Sequence, residues 1–209
     1  MARLVLVGTV HLDPQGGRSL RALLDELRPE LITVEVSAYA IEFRKHIASD
    51  LAGLMAPYRR VDGGLPPGLE AAAAQLELPF EYAASEEWAA RRGARLEAVG
   101  DSRLSRRLLG RLQRELLTPE NLASLAARPG TGLAAEVEQA WQLARRRARR
   151  PLDTAAAAER ERVERALAKR IRKAGAGELD CVHAGGWEHL EGLCGLLADL
   201  APEPRLLRE

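Results

Sequence analysis

Leu4-Val5-Leu6-Val7-Gly8-Thr9-Val10-His11 is the stretch that decides the fold. An aliphatic run that breaks at a glycine predicts a buried strand, here residues 3–8, opening into a loop. His11 then falls just beyond the strand's carboxyl end, the edge where open α/β sheets form ligand crevices. The turn formers Asp13-Pro14-Gln15-Gly16-Gly17 follow, and Leu20, Leu23, Leu24 and Leu27 repeat at helical spacing. Pro29 ends that helix, and residues 31–36 read as a second strand. The unit is βαβ, which implies parallel strands. Near the other end of the chain, residues 179–184 predict another strand, followed by Gly186-Trp187-Glu188-His189. The chain holds four histidines, and two of them sit in this repeated Gly-x-x-His context.

Between these ends the pattern alternates. Residues 38–56 predict a helix, and residues 57–68, rich in Pro and Gly, a loop placed to cover a pocket. A short helix over 71–76 and a brief strand over 78–80 come next. A helix from Ser85, read as its N-cap, then runs to Arg92 and ends at Gly93. Residues 96–100 predict a strand ending at Asp101, and residues 104–173 a mainly helical stretch, broken at 128–132 and near 150–153. A last helix covers 188–200, and the tail at 201–204 reads as irregular. The expected class is α/β, with α+β as the alternative: a mixed or mostly parallel sheet in one domain over 1–209, carrying a helical insertion at about 104–173.

The 209 residues are 46% apolar and 29% charged, with a net charge of +1. That balance gives no overall field for nucleic acid or membrane. The run Arg145-Arg146-Arg147-Ala148-Arg149-Arg150 lacks interleaved aromatics and has glutamates on either side, so it reads as a solvated helix face. No window approaches a membrane span, and the first residues do not read as a signal peptide, so a cytoplasmic protein is expected. Cys181 and Cys194 do not form a CxxC pair and read as buried thiols.

His11, Glu35, Glu81, Asp101 and His189 all fall at or just beyond the ends of predicted strands. Two imidazoles and a carboxylate suit a divalent transition metal with positions left open for water and substrate. The same residues could act without metal, with a His as base. Each also has a plain structural reading. His11 can be a loop residue, Glu35 a buried ion-pair partner, Asp101 a helix cap, and Glu81 a carboxylate favoured by a helix N-terminus. His46, beside Arg44 and Lys45, reads as surface, and His183 as core.

These segments, in this order, resemble the TraB/PrgY/GumN-type proteins, a group that includes the Tiki metalloproteases and lies near the erythromycin esterases and ChaN-like proteins. Gly8-Thr9-Val10-His11 is similar to that family's N-terminal GxxH, and Val34-Glu35-Val36-Ser37 to its Val-Glu-Leu-Asp. Glu81 with Ala83-Ala84 resembles its central Glu segment, and Asp101-Ser102-Arg103 an Asp-Arg motif displaced by Ser102. Residues 159–171 resemble its Glu-Arg-Asp helix in an ambiguous register, through Arg160-Glu161 or around Arg162 and Glu164. Gly186-Trp187-Glu188-His189-Leu190-Glu191-Gly192 resembles its closing GxGH-Leu-x-Gly.

The resemblance implies a pocket of His11, Glu35, Glu81 and His189, with Asp101 and a late-helix Arg in support. Arg44, Arg160 and Arg162 are the supporting cations considered. The resulting expectation is a metal-dependent hydrolase acting on a peptide or another acyl compound. His11, His189 and Glu35 (or Glu81) would bind Mn, Co or Zn, and a homo-oligomer is compatible with the sequence. The alternatives are a non-catalytic protein that binds a small ligand or peptide signal, and a metal-free His-base esterase.

Overall fold

In the computed structural model, which describes residues 2–147 and 152–208, five parallel strands form one sheet in the order β3-β2-β4-β1-β5. They are β1 (Leu4–Thr9), β2 (Leu31–Val34), β3 (Arg95–Ala98), β4 (Cys181–Gly186) and β5 (Glu203–Leu206). The three inner strands are buried along their whole length. That is why they read as unbroken apolar runs rather than alternating ones. The edge strands alternate charged and apolar residues, Arg95 and Glu97 on one edge and Glu203 and Arg205 on the other. Such charges protect a sheet edge from further pairing.

Helices cover both faces of the sheet. On one, α1 (Gly16–Leu27) and α4 (Phe80–Arg92) pack Leu20, Leu24 and Trp88 on Val5, Val7, Ile32 and Val182. On the other, α8 (Thr154–Ala174) and α9 (Leu190–Leu196) pack Leu167, Ile171 and Leu193 on Leu4, Leu6, Leu31 and Cys181. Successive strand residues point to opposite faces, so Leu4 and Leu6 serve one layer and Val5 and Val7 the other.

Further helices lie beyond these layers, among them α2 (Ala38–Met55), α3 (Pro67–Leu76), α5 (Ser102–Leu116) and α6 (Pro119–Ala126). The far half of α2 joins α3 and α6 in a satellite cluster around Leu51, Met55, Leu69 and Leu122. Finally α7 (Leu133–Arg145) is pinned to the β1–α1 loop, because buried Trp141 donates from Nε1 to Asp13 Oδ2 at 2.9 Å.

Several expectations are corrected. Residues 78–80 are not a strand: Pro79 precedes the first turn of α4, where its missing N–H is no loss. Helix α4 therefore starts five residues before Ser85, which is buried in its interior. Glu81 accordingly belongs to a helix's first turn and not to a strand end. The tail is not irregular throughout, since β5 docks beside β1, with Pro204 tolerated because the strand is at the edge. Cys194 is half-buried rather than buried. Of the basic run 145–150, Ala148, Arg149 and Arg150 lie outside the described residues, as does Pro151 of the break expected beside it.

Candidate functional site

The parallel register places the strand ends on one rim: Thr9 pairs with Gly186, and Val34 with Ala184. His11 follows β1 by two residues, Glu35 follows β2 directly, and His189 follows β4 by one short turn. Residues distant in the chain meet there because each trails a neighbouring strand. Glu81 arrives from the first turn of α4, and Glu164 from α8.

Glu35 is the hub. Its Oε2 accepts the Gly186 backbone N–H at 2.8 Å, and its Oε1 lies 3.4 Å from His189 Nε2. The other nitrogen of His189, Nδ1, stands 3.1 Å from Glu164 Oε1. His11 repeats the pattern: its Nδ1 is 2.7 Å from Glu81 Oε1, which also accepts the Thr9 hydroxyl at 2.7 Å. The His11 Nε2 is left to face the space over Gly186. A Cβ on that glycine would lie 3.0 Å from His11 Nε2 and 3.7 Å from Glu35 Oε2. The glycine therefore keeps open the space between the two groups.

A third imidazole, His183, borders the same carboxylate. A Cβ on Gly185 would sit 3.0 Å from His183 Nε2 and 2.6 Å from Glu35 Oε2. His183 is fully buried, its Nδ1 lies 2.9 Å from Thr33 Oγ1, and its Nε2 has no hydrogen-bond partner. Burial, with His189 nearby, pushes its pKa down to about 3, so it stays neutral. His11 behaves oppositely. Desolvation opposes its charge, but the hydrogen bond and charge of Glu81, with Glu35 and Glu188 behind, raise its pKa to about 9. With 55% of this side chain exposed, the carboxylates outweigh burial. Burial pushes Glu81 upward, yet His11 and Thr9 hold it below the usual carboxylate range.

The residues chosen from sequence divide into two groups. Among them, His11, Glu35 and Glu81 line a cleft of about 700 Å³, while His189 stands behind Glu35 and does not line it. Arg44 lines the cleft and donates to the Gln75 carbonyl at 3.1 Å. Asp101 also lines it, but it caps α5 by accepting from Arg103 and Leu104. The late-helix arginine that meets Asp101 is Arg170, at 2.9 Å, and not Arg160 or Arg162. Arg160 pairs with Glu188, and Arg162 with Glu159. No residue of 57–68 lines the cleft; Tyr58 and Leu65 pack on the satellite cluster instead, so the expected cover is absent.

Two neighbours of the site lie outside the residues expected to form it: Glu164 enters only as one register of the late-helix motif, and His183 reads as core, as its burial bears out. Glu164 shares the buried stripe of α8 with Leu167, Ala168 and Ile171. A carboxylate within an apolar stripe signals a buried partner. For His183 the only signal was its place two residues before a Gly-Gly pair.

Among the described residues, no three His, Cys, Asp or Glu groups stand ready as a closed metal-ligand cluster. The donor chemistry nevertheless fits a divalent transition ion. Each of His11 and His189 has one ring nitrogen on a carboxylate, as in the carboxylate–histidine pairs that orient metal ligands; the other nitrogen of His189 approaches Glu35, and that of His11 borders the space over Gly186. Comparison of the chain with family models, with curated proteins and with solved structures finds no match.

Proposed function

We propose that the protein is a metal-dependent acyl hydrolase, with His11 Nε2, His189 Nε2 and Glu35 as the metal ligands. The observation that carries this reading is the 3.4 Å approach of His189 Nε2 to Glu35 Oε1. When Nδ1–H is committed to Glu164, a neutral His189 turns a lone pair towards a carboxylate. Two acceptors facing each other need a proton or a cation between them. Glu35, Glu81, Glu164 and Glu188 stand around the two imidazoles, negative charge that a divalent ion displacing the ring protons would offset. When bound, a Mn, Co or Zn ion would polarise a substrate carbonyl and lower the pKa of a bound water.

The chain's own residues have separate tasks in this reading. Glu81 and Glu164 fix which ring nitrogen of each histidine is free. Thr9 and the Gly186 N–H orient Glu81 and Glu35. The cleft wall admits the acyl group beside His11. The reading agrees with what the resemblance to TraB/PrgY/GumN-type proteins implies, and it includes a cytoplasmic location and a possible homo-oligomer. No described helix is long and apolar enough to cross a membrane.

The test is metal analysis of untagged protein purified without chelator, paired with hydrolysis of a panel of p-nitrophenyl esters and short peptides. Stoichiometric metal, with activity lost to chelator and restored by one of the three ions, is the expected result. Chelator-resistant hydrolysis by metal-free protein would favour a histidine base, and no hydrolysis with a tightly held organic ligand a binding protein.

A further inference from the structure

The cleft that holds His11 and Glu35 has two other walls whose chemistry the reaction itself does not use. One is apolar: Leu104, Leu108 and Leu112 of α5 and Val163 and Ala166 of α8 line it. Leu108 is 52% exposed, a large aliphatic side chain left to water although it borders a cavity. The other feature is positive charge. Five arginines line the cleft, and their partners differ. Arg162 and Arg170 are neutralised by Glu159 and Asp101. Arg44 is held by backbone carbonyls. Arg103 and Arg107, one helical turn apart on α5, have no carboxylate partner among the described residues.

The lining carboxylates do not offset them. Asp101 and Glu159 are spent in those ion pairs, Glu35 and Glu81 are turned to the histidines, and only Glu77 is left over. An uncommitted arginine beside an aliphatic wall suits a ligand that is apolar along its body and anionic at one end.

We infer that the substrate is an acyl compound with an aliphatic body and an anionic head, a carboxylate or a phosphate. Arg103 and Arg107 take the head, and the leucines of α5 take the body. This assignment rests on the hydrolase reading for the word substrate, but the binding it requires can be measured without turnover.

The probes are octanoate, octyl phosphate and the neutral octyl glucoside, titrated calorimetrically into the wild-type chain, the double variant R103Q/R107Q and the control R111Q. Arg111 pairs with Glu115 and does not line the cleft. One anionic probe should bind the wild type about tenfold tighter than the glucoside, and which one does so identifies the head. The double variant should lose that preference with its melting temperature and glucoside affinity kept, and R111Q should keep it. Equal binding of all three probes, or an anion preference that survives R103Q/R107Q, overturns the inference. Intact anion binding with no hydrolysis of any ester would instead overturn the hydrolase reading and leave this one standing.

Discussion

His189 and Glu164 meet at 3.1 Å, joining the turn after β4 to the middle of the long helix α8. The contact depends on a third residue. A Cβ on Gly192 would overlap the Glu164 carboxylate and push it away from the imidazole, so the glycine leaves room for the carboxylate where it meets His189. The closing Gly of Trp187-Glu188-His189-Leu190-Glu191-Gly192 is therefore a steric requirement of the site and not of the turn.

This relation gives the first prediction. Gly192→Ala should displace the Glu164 carboxylate, and Glu164→Gln should keep its shape but remove its charge. Both should weaken metal affinity by about 10- to 100-fold, the usual effect of losing a carboxylate behind a ligand histidine. Gly192→Ala should also lower the melting temperature. Metal titration of the two variants checks this, and unchanged affinity in both would show that Glu164 does not serve His189.

Glu35→Gln separates a functional carboxylate from a structural one. The amide oxygen can still accept the Gly186 N–H, so the strand ends should hold together. Activity should be lost while the melting temperature holds or rises. If Glu35 instead balances a buried charge, the variant should lose several kcal/mol, as stranded partners of buried pairs do. Thermal unfolding and hydrolysis assays on one preparation distinguish the outcomes.

Much of the sheet could be read from the sequence because the inner strands are buried on both faces. Leu4-Val5-Leu6-Val7 and residues 31–34 and 181–184 leave little alternative for their runs. His11, Glu35 and His189 followed from this, since parallel strands send their carboxyl ends to one rim. What was hidden is what tertiary packing decides. Residues 203–206 form a strand only because β1 offers an edge beside them, and two prolines in the tail mask it. Glu81 reaches His11 from a helix whose start is set by Pro79 rather than by Ser85. No local pattern in β3 or α5 shows that Asp101 will meet Arg170, because 69 residues separate them.

Asp101 should carry an acid-dependent share of stability. The backbone N–H of Leu104, the Arg170 guanidinium and the N–H of Arg103 hold its pKa down to about 2. A lowered carboxylate pKa stabilises the fold above the unfolded value, near pH 3.9, and this contribution disappears as pH falls towards 2. The wild type should therefore be more stable than Asp101→Ala by about 1 kcal/mol at pH 7, the usual value of a helix cap. The gap should narrow as pH falls below about 4 and close as it passes through about 2. Denaturant unfolding at both pH values checks it, and a gap independent of pH would assign the effect to packing.

His183 is the remaining test. A buried, neutral imidazole whose Nε2 finds no partner is a cost to the fold, since an unsatisfied buried donor or acceptor loses about 1–3 kcal/mol of hydration. His183→Leu replaces it with an aliphatic group of similar volume. The loss of its contact with Thr33 Oγ1 offsets part of the gain. The melting temperature should therefore stay level or rise. If the free Nε2 serves the reaction through Glu35, which it faces across Gly185, the same variant should lose hydrolysis. Stability retained with activity lost would mark His183 as a residue kept at the fold's expense for the site. Stability lost with activity retained would make it a packing residue whose orphaned nitrogen has no part in the chemistry.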